Sequence, residues 1–301
     1  MNPYQQLNPN FVIPGETPTA LTIFLFGGFR TRKTSVAGTF PAPLFLSAGS
    51  ERGDKSLTYL PELYNAPVPP VLPVTKPADM IQHVDWCVRY AKQAGFGTIV
   101  VDSIGFYADL WISHNMNRRR EAMKSSGMDE DRVADAIQMR KQDWGALETH
   151  LMKDVAVRLH SVGLNVIWIV NEKKLMENDD VKQTSRVTGV VPYISGATAG
   201  KLPGLCDMII HAEKTLLMNN KTGKLEPQIV WHTDAQWLTK DLGHRYANRF
   251  SEGRITDPGG YPGPTFWGFY SRIPEAIYVP DHVKQAWSQA QTAAPAAQPP
   301  R

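Results

Sequence analysis

Six apolar runs separated by helical stretches constrain the fold of this 301-residue chain more than any other feature. Several of them, such as Ile99–Val101 and Val166–Val170, are apolar without interruption, which is typical of strands covered on both faces. The runs are Leu21–Phe26, Pro43–Leu46, Val71–Val74, Thr98–Val101, Val166–Val170 and Met208–His211. Helical stretches between them are Ala78–Ala94, Phe106–Lys124 and Asp131–Ser161. The alternation of strand and helix predicts an α/β fold with a mostly parallel central sheet.

The pattern changes after Glu213. Leu216–Met218 and Gln228–His232 flank a turn rich in Asn, Lys and Gly, which predicts an antiparallel hairpin at the edge of the sheet. We interpret the chain as an extended arm over 1–20, a core over 21–250, a Gly/Pro/aromatic-rich extension over 251–289 and a disordered tail over 290–301.

The composition is that of an ordinary globular protein, with 42% hydrophobic and 20% charged residues. The net charge of +3 permits a nucleic-acid partner but does not require one. Cys87 and Cys206 stand far apart and give no disulfide framework, which indicates a reducing compartment. No apolar run approaches the ~20 residues that cross a bilayer, and the polar N-terminus lacks the apolar core of a signal peptide. We therefore predict a cytoplasmic protein without a membrane partner.

The first apolar run leads directly into a candidate phosphate-binding loop, made of Gly27, Gly28, Phe29, Arg30, Thr31, Arg32, Lys33, Thr34 and Ser35. The pattern G-x-x-x-x-G-K-[ST] is met at Gly27, Lys33 and Thr34, and Arg32 replaces its second glycine. In such loops backbone N–H groups wrap the phosphates, the lysine reaches the β and γ oxygens, and the hydroxyl ligates Mg²⁺. We predict a nucleotide site here, and we expect the side chain of Arg32 to oppose close approach of the backbone and a positive φ.

Two polar residues follow buried strands and are further candidates. Asp102 directly follows the run Thr98–Val101, and an acidic residue in this place is typical of a Walker B strand. We therefore favour a role for Asp102 in holding Mg²⁺ beside Thr34. The alternative is that Asp102 caps the next helix. Asn171 follows Val166–Val170 at the end of a strand where ligands bind in such sheets, so it fits a sensor of the γ-phosphate or of the attacking water. It fits a turn former equally well.

Seven blocks in order along the chain carry a resemblance to a known family: GGFRTRKTS, FPAPLFLSAGSERG, GTIVVDSIG, KQDWGALE, NVIWIVNEKK, GKLPGLCDMII and WLTKDLGHR. Over about Leu21–Arg249 the chain resembles the phage-encoded RecA-like P-loop ATPases, among them those that promote single-strand annealing in recombination. The resemblance implies a RecA-type core, ATP with Mg²⁺, single-stranded DNA as partner, and assembly into rings or filaments. It also implies that Lys33 and Thr34 bind phosphate and Mg²⁺, that Asp102 is the Walker B acid, that Asn171 is the sensor, and that Lys240 reaches a neighbouring subunit's nucleotide.

The chain departs from that family where relatives place a water-activating acid at the end of the second strand. Here the strand ends at Ala48-Gly49, and Glu51 is the nearest candidate for the role. Together with Arg32, this departure supports an alternative hypothesis. In it the chain keeps the RecA scaffold for a structural or DNA-binding role, and its catalysis has decayed.

DNA contacts are predicted in the regions that follow the Asp102 and Asn171 strands. The first holds Arg118, Arg119 and Arg120, and the second is interpreted as a loop over Lys173–Ile194 that includes Lys182 and Arg186. Basic residues mixed with an aromatic suit backbone neutralisation and base stacking. An arginine run on a helix is also typical of a solvated surface, so both interpretations stay open.

Overall fold

A computed structural model describes residues 20–48, 53–129, 132, 139–179, 184–194, 198–218, 223–232, 254–256 and 278–286. The strands are β1 Thr22–Gly27, β2 Pro43–Ala48, β3 Val71–Val74, β4 Thr98–Asp102, β5 Asn165–Asp179, β6 Thr184–Pro192, β7 Met208–Met218, β8 Leu225–His232 and β9 Arg254–Thr256. The helices are α1 Lys33–Ala37, α2 Asp54–Leu57, α3 Leu60–Tyr64, α4 Pro77–Trp86, α5 Ile104–Ser125, α6 Lys141–Thr149, α7 Val157–His160 and α8 Thr198–Gly204. A π-helical segment, Cys87–Ala91, continues α4. A second one, His150–Ala156, joins α6 to α7.

The strands form one sheet in the order β3-β2-β4-β5-β1-β7-β8-β9, and β6 pairs with β5 outside this path. The strands from β3 to β7 run parallel, with β1 between β5 and β7. The β7–β8 hairpin is antiparallel, and β9 extends it by one strand. The predicted α/β fold with a mostly parallel sheet and an antiparallel hairpin is therefore confirmed.

The central strands are buried on both faces, as their uninterrupted apolar runs predict. Phe24 and Phe26 of β1 pack into one core layer, whereas Ile23 and Leu25 pack into the other. Side chains of a strand point alternately to opposite faces, so each central strand feeds both layers. The two layers fix β1, and with it the start of the phosphate loop, in the middle of the sheet.

The structure corrects two segment boundaries. The helix expected over Asp131–Ser161 is not continuous, because residues 139–140 are not helical. Helix α6 begins at Lys141, where the Asp143 carboxylate accepts the backbone N–H of Arg140 at 2.8 Å and caps the first turn. The segment Lys173–Ile194 is wrong as a loop, because β5 continues to Asp179 and pairs with β6 in an antiparallel hairpin. A bulge between Leu175 and Met176 accommodates an extra residue on β6.

Part of the predicted C-terminal extension packs against the sheet. The Asn165 side chain donates to the carbonyl of Tyr278 at 2.7 Å and accepts the N–H of Tyr278 at 3.2 Å. Val279 is buried in the same core layer as Ile23, and residues 281–286 form a short helix. The arm and the tail lie outside the described residues, apart from residue 20, and the domain boundaries stay predictions. None of the helices in the described ranges is both long enough and apolar enough to cross a membrane.

Candidate functional site: a phosphate loop between strands β5 and β7

The phosphate loop leaves β1 at Gly27 and enters α1 at Lys33. Lys33 is buried, and its ammonium donates to the carbonyl of Gly27 at 2.9 Å and to that of Gly28 at 2.8 Å. The Thr31 hydroxyl also donates to the Gly28 carbonyl, at 2.8 Å. The backbone therefore curls around the ammonium group, and the positive charge of Lys33 lies inside the loop.

Arg32 occupies the glycine position of the loop in a conformation that favours glycine. Its backbone has φ 60° and ψ 21°, which is the left-handed region. Arg30 is also left-handed, with φ 64°. For a residue with a Cβ this region costs about 1–2 kcal/mol. Arg32 thus adopts the positive φ that its side chain was expected to oppose, so that expectation is wrong, and the loop holds strain that a glycine would not carry.

Thr34 and Asp102 meet at the foot of the loop. The Thr34 hydroxyl donates to Asp102 Oδ2 at 2.7 Å, although the two residues lie on α1 and β4. Ser103, not Asp102, is the N-cap of α5, and its hydroxyl accepts from the N–H of Phe106 at 3.5 Å. The helix-cap alternative for Asp102 is therefore wrong.

These two side chains fit Mg²⁺. A hydroxyl and a carboxylate are hard oxygen donors, and Mg²⁺ in nucleotide sites uses few protein ligands beside water and phosphate. Space above the pair depends on Gly53, because a Cβ at that position would lie 3.1 Å from Asp102 Oδ2 and 3.5 Å from Thr34 Oγ1. Thr34 and Asp102 are thus the residues that would hold the metal, whose role is to neutralise phosphate charge.

Asn171 lies level with the loop but does not end its strand. It is opposite Gly27 in the pairing of β5 with β1, and it is buried. Its carbonyl accepts the N–H of Tyr193 at 2.6 Å, so the strand continues beyond it into the hairpin. The turn-former alternative is wrong, and the sensor role stays a prediction.

The structure adds two candidate functional residues, Glu172 and His211, that the sequence did not indicate. Glu172 Oε2 lies 2.8 Å from Nε2 of His211, and the two residues come from β5 and β7, on either side of β1. The hydrogen bond from His211 lowers the pKa of Glu172 against the opposing effect of burial, and the charge of Lys33 contributes. The residues are 39 positions apart, so no spacing signals the pair. The one available signal is that each lies near the end of an apolar run of the sheet.

The predicted DNA-binding residues are only partly described. Arg118 and Arg120 are exposed on α5, whereas Arg119 is half-buried and pairs with Asp143 at 2.5 Å. The hydrogen bond from Arg119 lowers the pKa of Asp143. The backbone of Arg186 pairs with Glu177 in the β5–β6 hairpin.

Glu51, Lys182 and Lys240 lie outside the described residues, as does Gly49.

Comparison with known families agrees with this geometry. A family model described as an AAA domain matches residues 19–236, well over half of the chain. The chain belongs to this family. It therefore carries an AAA-type P-loop ATPase domain, and the matched range includes the phosphate loop, Asp102 and the Glu172–His211 pair. No curated protein matches the chain.

Proposed function

We propose that this protein is a RecA-like ATPase that binds and hydrolyses ATP with Mg²⁺ and acts on single-stranded DNA in phage recombination or replication. The observation that carries the proposal is the loop around Lys33 together with the 2.7 Å contact between Thr34 and Asp102. This arrangement supplies a buried cation for the β and γ phosphates and two oxygen donors for Mg²⁺. Asn171, opposite Gly27, is suited to report the state of the γ-phosphate.

Single-stranded DNA is the partner that the exposed groups of α5 and of the β5–β6 hairpin suit best. Arg118 and Arg120 present two cations on α5, and Lys173 and Lys174 present two more at the start of the β5–β6 hairpin. Tyr193, 42% exposed, lies where that hairpin returns to the sheet. Cations neutralise the phosphate backbone and an exposed aromatic ring stacks on a base. The hairpin also begins directly after Asn171, so its position is tied to the nucleotide site.

The proposal includes self-assembly of the protein into oligomers. Subunits would form a ring or filament in which Lys240 reaches the nucleotide of a neighbour. A cation supplied in this way stabilises charge on the transferring phosphoryl group.

Nucleotide binding is tested first, with Lys33→Ala. We expect this variant to bind a fluorescent ATP analogue with Mg²⁺ roughly 10- to 100-fold more weakly than wild type, because a charged hydrogen bond is worth about 1.5–3 kcal/mol. Lys153→Ala, at an exposed lysine, is the matched control and should bind as wild type does. Equal affinity in wild type and Lys33→Ala would refute the site.

The DNA role is tested in the same preparations with a labelled single-stranded oligonucleotide. The double variant Arg118→Ala/Arg120→Ala should bind it more weakly and with a shallower salt dependence, while its affinity for ATP stays at the wild-type value. A wild-type protein that binds ATP but no oligonucleotide would leave the ATPase domain standing and refute the DNA role.

The arginine at position 32, in place of the second glycine of the loop, favours one second candidate, a RecA scaffold with decayed catalysis that serves a structural or DNA-binding role. Arg32→Gly separates the two candidates. The variant should be more stable by about 0.5–1 kcal/mol, because relief of the left-handed strain, about 1–2 kcal/mol, exceeds the entropy cost of glycine. Chemical unfolding measures this gain.

Turnover of the same variant decides between the candidates. Decayed catalysis predicts a clear rise in ATP hydrolysis once glycine is restored, because the backbone can then approach the phosphates. The ATPase proposal predicts that wild type already turns over ATP and that Arg32→Gly changes the rate little.

A further inference from the structure

We propose that Glu172 is the carboxylate that orients and deprotonates the attacking water in this site, and that His211 is the positioning residue that holds it. The inference rests on the proposed ATP hydrolysis and adds the group that performs the proton transfer. It differs from the expectation based on Glu51, which lies after β2.

The pair crosses the strand that carries the phosphate loop. Glu172 follows Asn171, which lies opposite Gly27 in the pairing of β5 with β1, whereas His211 on β7 is opposite Phe26. The 2.8 Å contact between Glu172 Oε2 and His211 Nε2 spans β1 from one neighbour to the other. The absence of a side chain at Gly28 leaves room for this crossing, because a Cβ there would meet the end of the Glu172 side chain.

The histidine is itself held in place. Its ring stacks on Phe26 with centroids 4.7 Å apart and an interplanar angle of 28°, and its side chain is 8% exposed. Phe26 is fully buried in the core layer. The orientation of the Glu172 carboxylate is thus fixed by the packed core and not by solvent-exposed contacts, as positioning of a catalytic group requires.

The second carboxylate oxygen lies at the loop. Oε1 of Glu172 is 3.1 Å from the point where a Cβ on Gly28 would stand. The Gly28 carbonyl in turn accepts from the Lys33 ammonium at 2.8 Å. Because this lysine is the group that reaches the β and γ oxygens, the Glu172 carboxylate lies close to the region where the terminal phosphate and its attacking water would sit.

Charge suits the role as well. The hydrogen bond from His211 lowers the pKa of Glu172 against the opposing effect of burial, and the charges of His211, Lys174 and Lys33 lower it further, so the carboxylate is ionised. An ionised carboxylate accepts hydrogen bonds and a proton. Asp102 contacts a different part of the loop, through Thr34, so the two carboxylates divide the work of metal binding and water activation.

The step balances with water and ATP alone. The water oxygen forms a bond to the γ-phosphorus, and the bond from that phosphorus to the β–γ bridging oxygen breaks. Its electron pair leaves with ADP. One water proton passes to the Glu172 carboxylate, which later releases it to solvent.

The test is Glu172→Gln, which keeps the shape and an acceptor for His211 but removes the base. We expect kcat to fall by about 10²–10⁴-fold, the contribution of a general base. The affinity for a non-hydrolysable ATP analogue should stay the same or tighten, because a negative charge beside the phosphates has gone. Single-turnover hydrolysis and a direct binding titration give the two readings.

Companion variants separate catalysis from structure. Glu172→Asp keeps the charge but withdraws the carboxylate by one methylene, so it should fold, bind the analogue and hydrolyse at an intermediate rate. His211→Ala should lower kcat with little change in analogue affinity. Glu148→Gln, which also loses a carboxylate from an ion pair, with Lys201, is the matched control and should hydrolyse at the wild-type rate.

Several results would overturn the proposal. Hydrolysis at the wild-type rate by Glu172→Gln would do so, and so would its loss in Glu51→Gln alone. Parallel loss of hydrolysis and analogue binding in both Glu172 variants would show a structural role instead. A wild-type protein that binds ATP without hydrolysing it would remove the catalytic role of Glu172 and leave the nucleotide site intact, whereas failure to bind ATP would refute the proposed function itself.

Discussion

Replacing Asp102 with asparagine should reduce Mg²⁺-dependent ATP hydrolysis by at least about 100-fold. Mutation of residues that only support a metal's ligands costs up to about 100-fold, and loss of a ligand itself should cost at least as much. Asp102 is 5% exposed and accepts the Thr34 hydroxyl at 2.7 Å. Asparagine keeps an oxygen for that hydrogen bond but loses the negative charge that attracts the cation. Hydrolysis and ATP affinity are measured over a range of Mg²⁺ concentrations, and we expect the affinity of Asp102→Asn to become nearly independent of Mg²⁺.

The control for this variant is Asp85→Asn. Asp85 pairs with Arg158 and is 38% exposed, so its loss removes a carboxylate of the same type from the surface of the protein. Exposed pairs contribute about 0–1 kcal/mol, and hydrolysis should be unchanged. If Asp102→Asn keeps the wild-type dependence on Mg²⁺, the Thr34–Asp102 pair is a structural contact and the metal lies elsewhere.

The sheet could be predicted from sequence because its signal is local. The run Val71–Val74 matches β3 at both ends, and the runs at β1 and β4 each differ by one residue at one or both ends. Uninterrupted apolar stretches between helical segments leave a chain few choices other than a parallel sheet covered on both faces. The loop after β1 could be predicted for the same reason, since the sequence from Gly27 to Thr34 is contiguous.

The β5–β6 hairpin was missed because its strands are polar and partly exposed. Lys173 and Lys174 follow the apolar run directly and are typical of a loop. In the structure the segment from Glu172 to Asp179 is a strand because it pairs with Thr184–Pro192. This stabilisation comes from contact between two segments of the chain, and the strand propensity of the residues themselves does not reveal it. The hairpin changes the functional hypothesis, because it makes the predicted DNA-binding segment a continuation of the strand that carries Asn171.

The Glu172–His211 pair could not be predicted because its partners meet only through strand order. Both residues flank β1, and that neighbourhood requires β5 and β7 to lie on either side of it. A parallel sheet of this size admits several orders, and spacing along the chain does not choose between them. Side chains that functional sites bring together from distant strands are therefore the part of a site that sequence patterns leave open.

Three glycines offer a graded test of how closely the strands around the loop pack. Gly27→Ala should destabilise the protein by about 3 kcal/mol, at the upper end of overpacking costs. An added Cβ would lie 2.2 Å from the Ala212 carbonyl oxygen and 3.0 Å from its carbon, and this backbone belongs to the neighbouring strand β7. Because β1 and β7 must separate to make room, ATP binding should weaken as well.

The other two glycines have different surroundings, and only Gly145 lies away from the site. At Gly28 a Cβ would meet the end of the Glu172 side chain at 3.1 Å, so Gly28→Ala should cost less than about 1 kcal/mol and should lower hydrolysis by displacing that carboxylate. At Gly145 in α6 no described atom lies within 4 Å, and Gly145→Ala should stabilise by about 0.5–1 kcal/mol through helix propensity.

Chemical unfolding of the three variants, with a titration of the ATP analogue, gives the order. The expected order of stability is Gly145→Ala above wild type, Gly28→Ala slightly below it and Gly27→Ala far below it. Equal stability of Gly27→Ala and Gly28→Ala would mean that β7 yields as easily as a side chain. The Glu172–His211 contact depends on rigid strands on either side of β1. If β7 yields easily, that contact does not hold the Glu172 carboxylate in a fixed position.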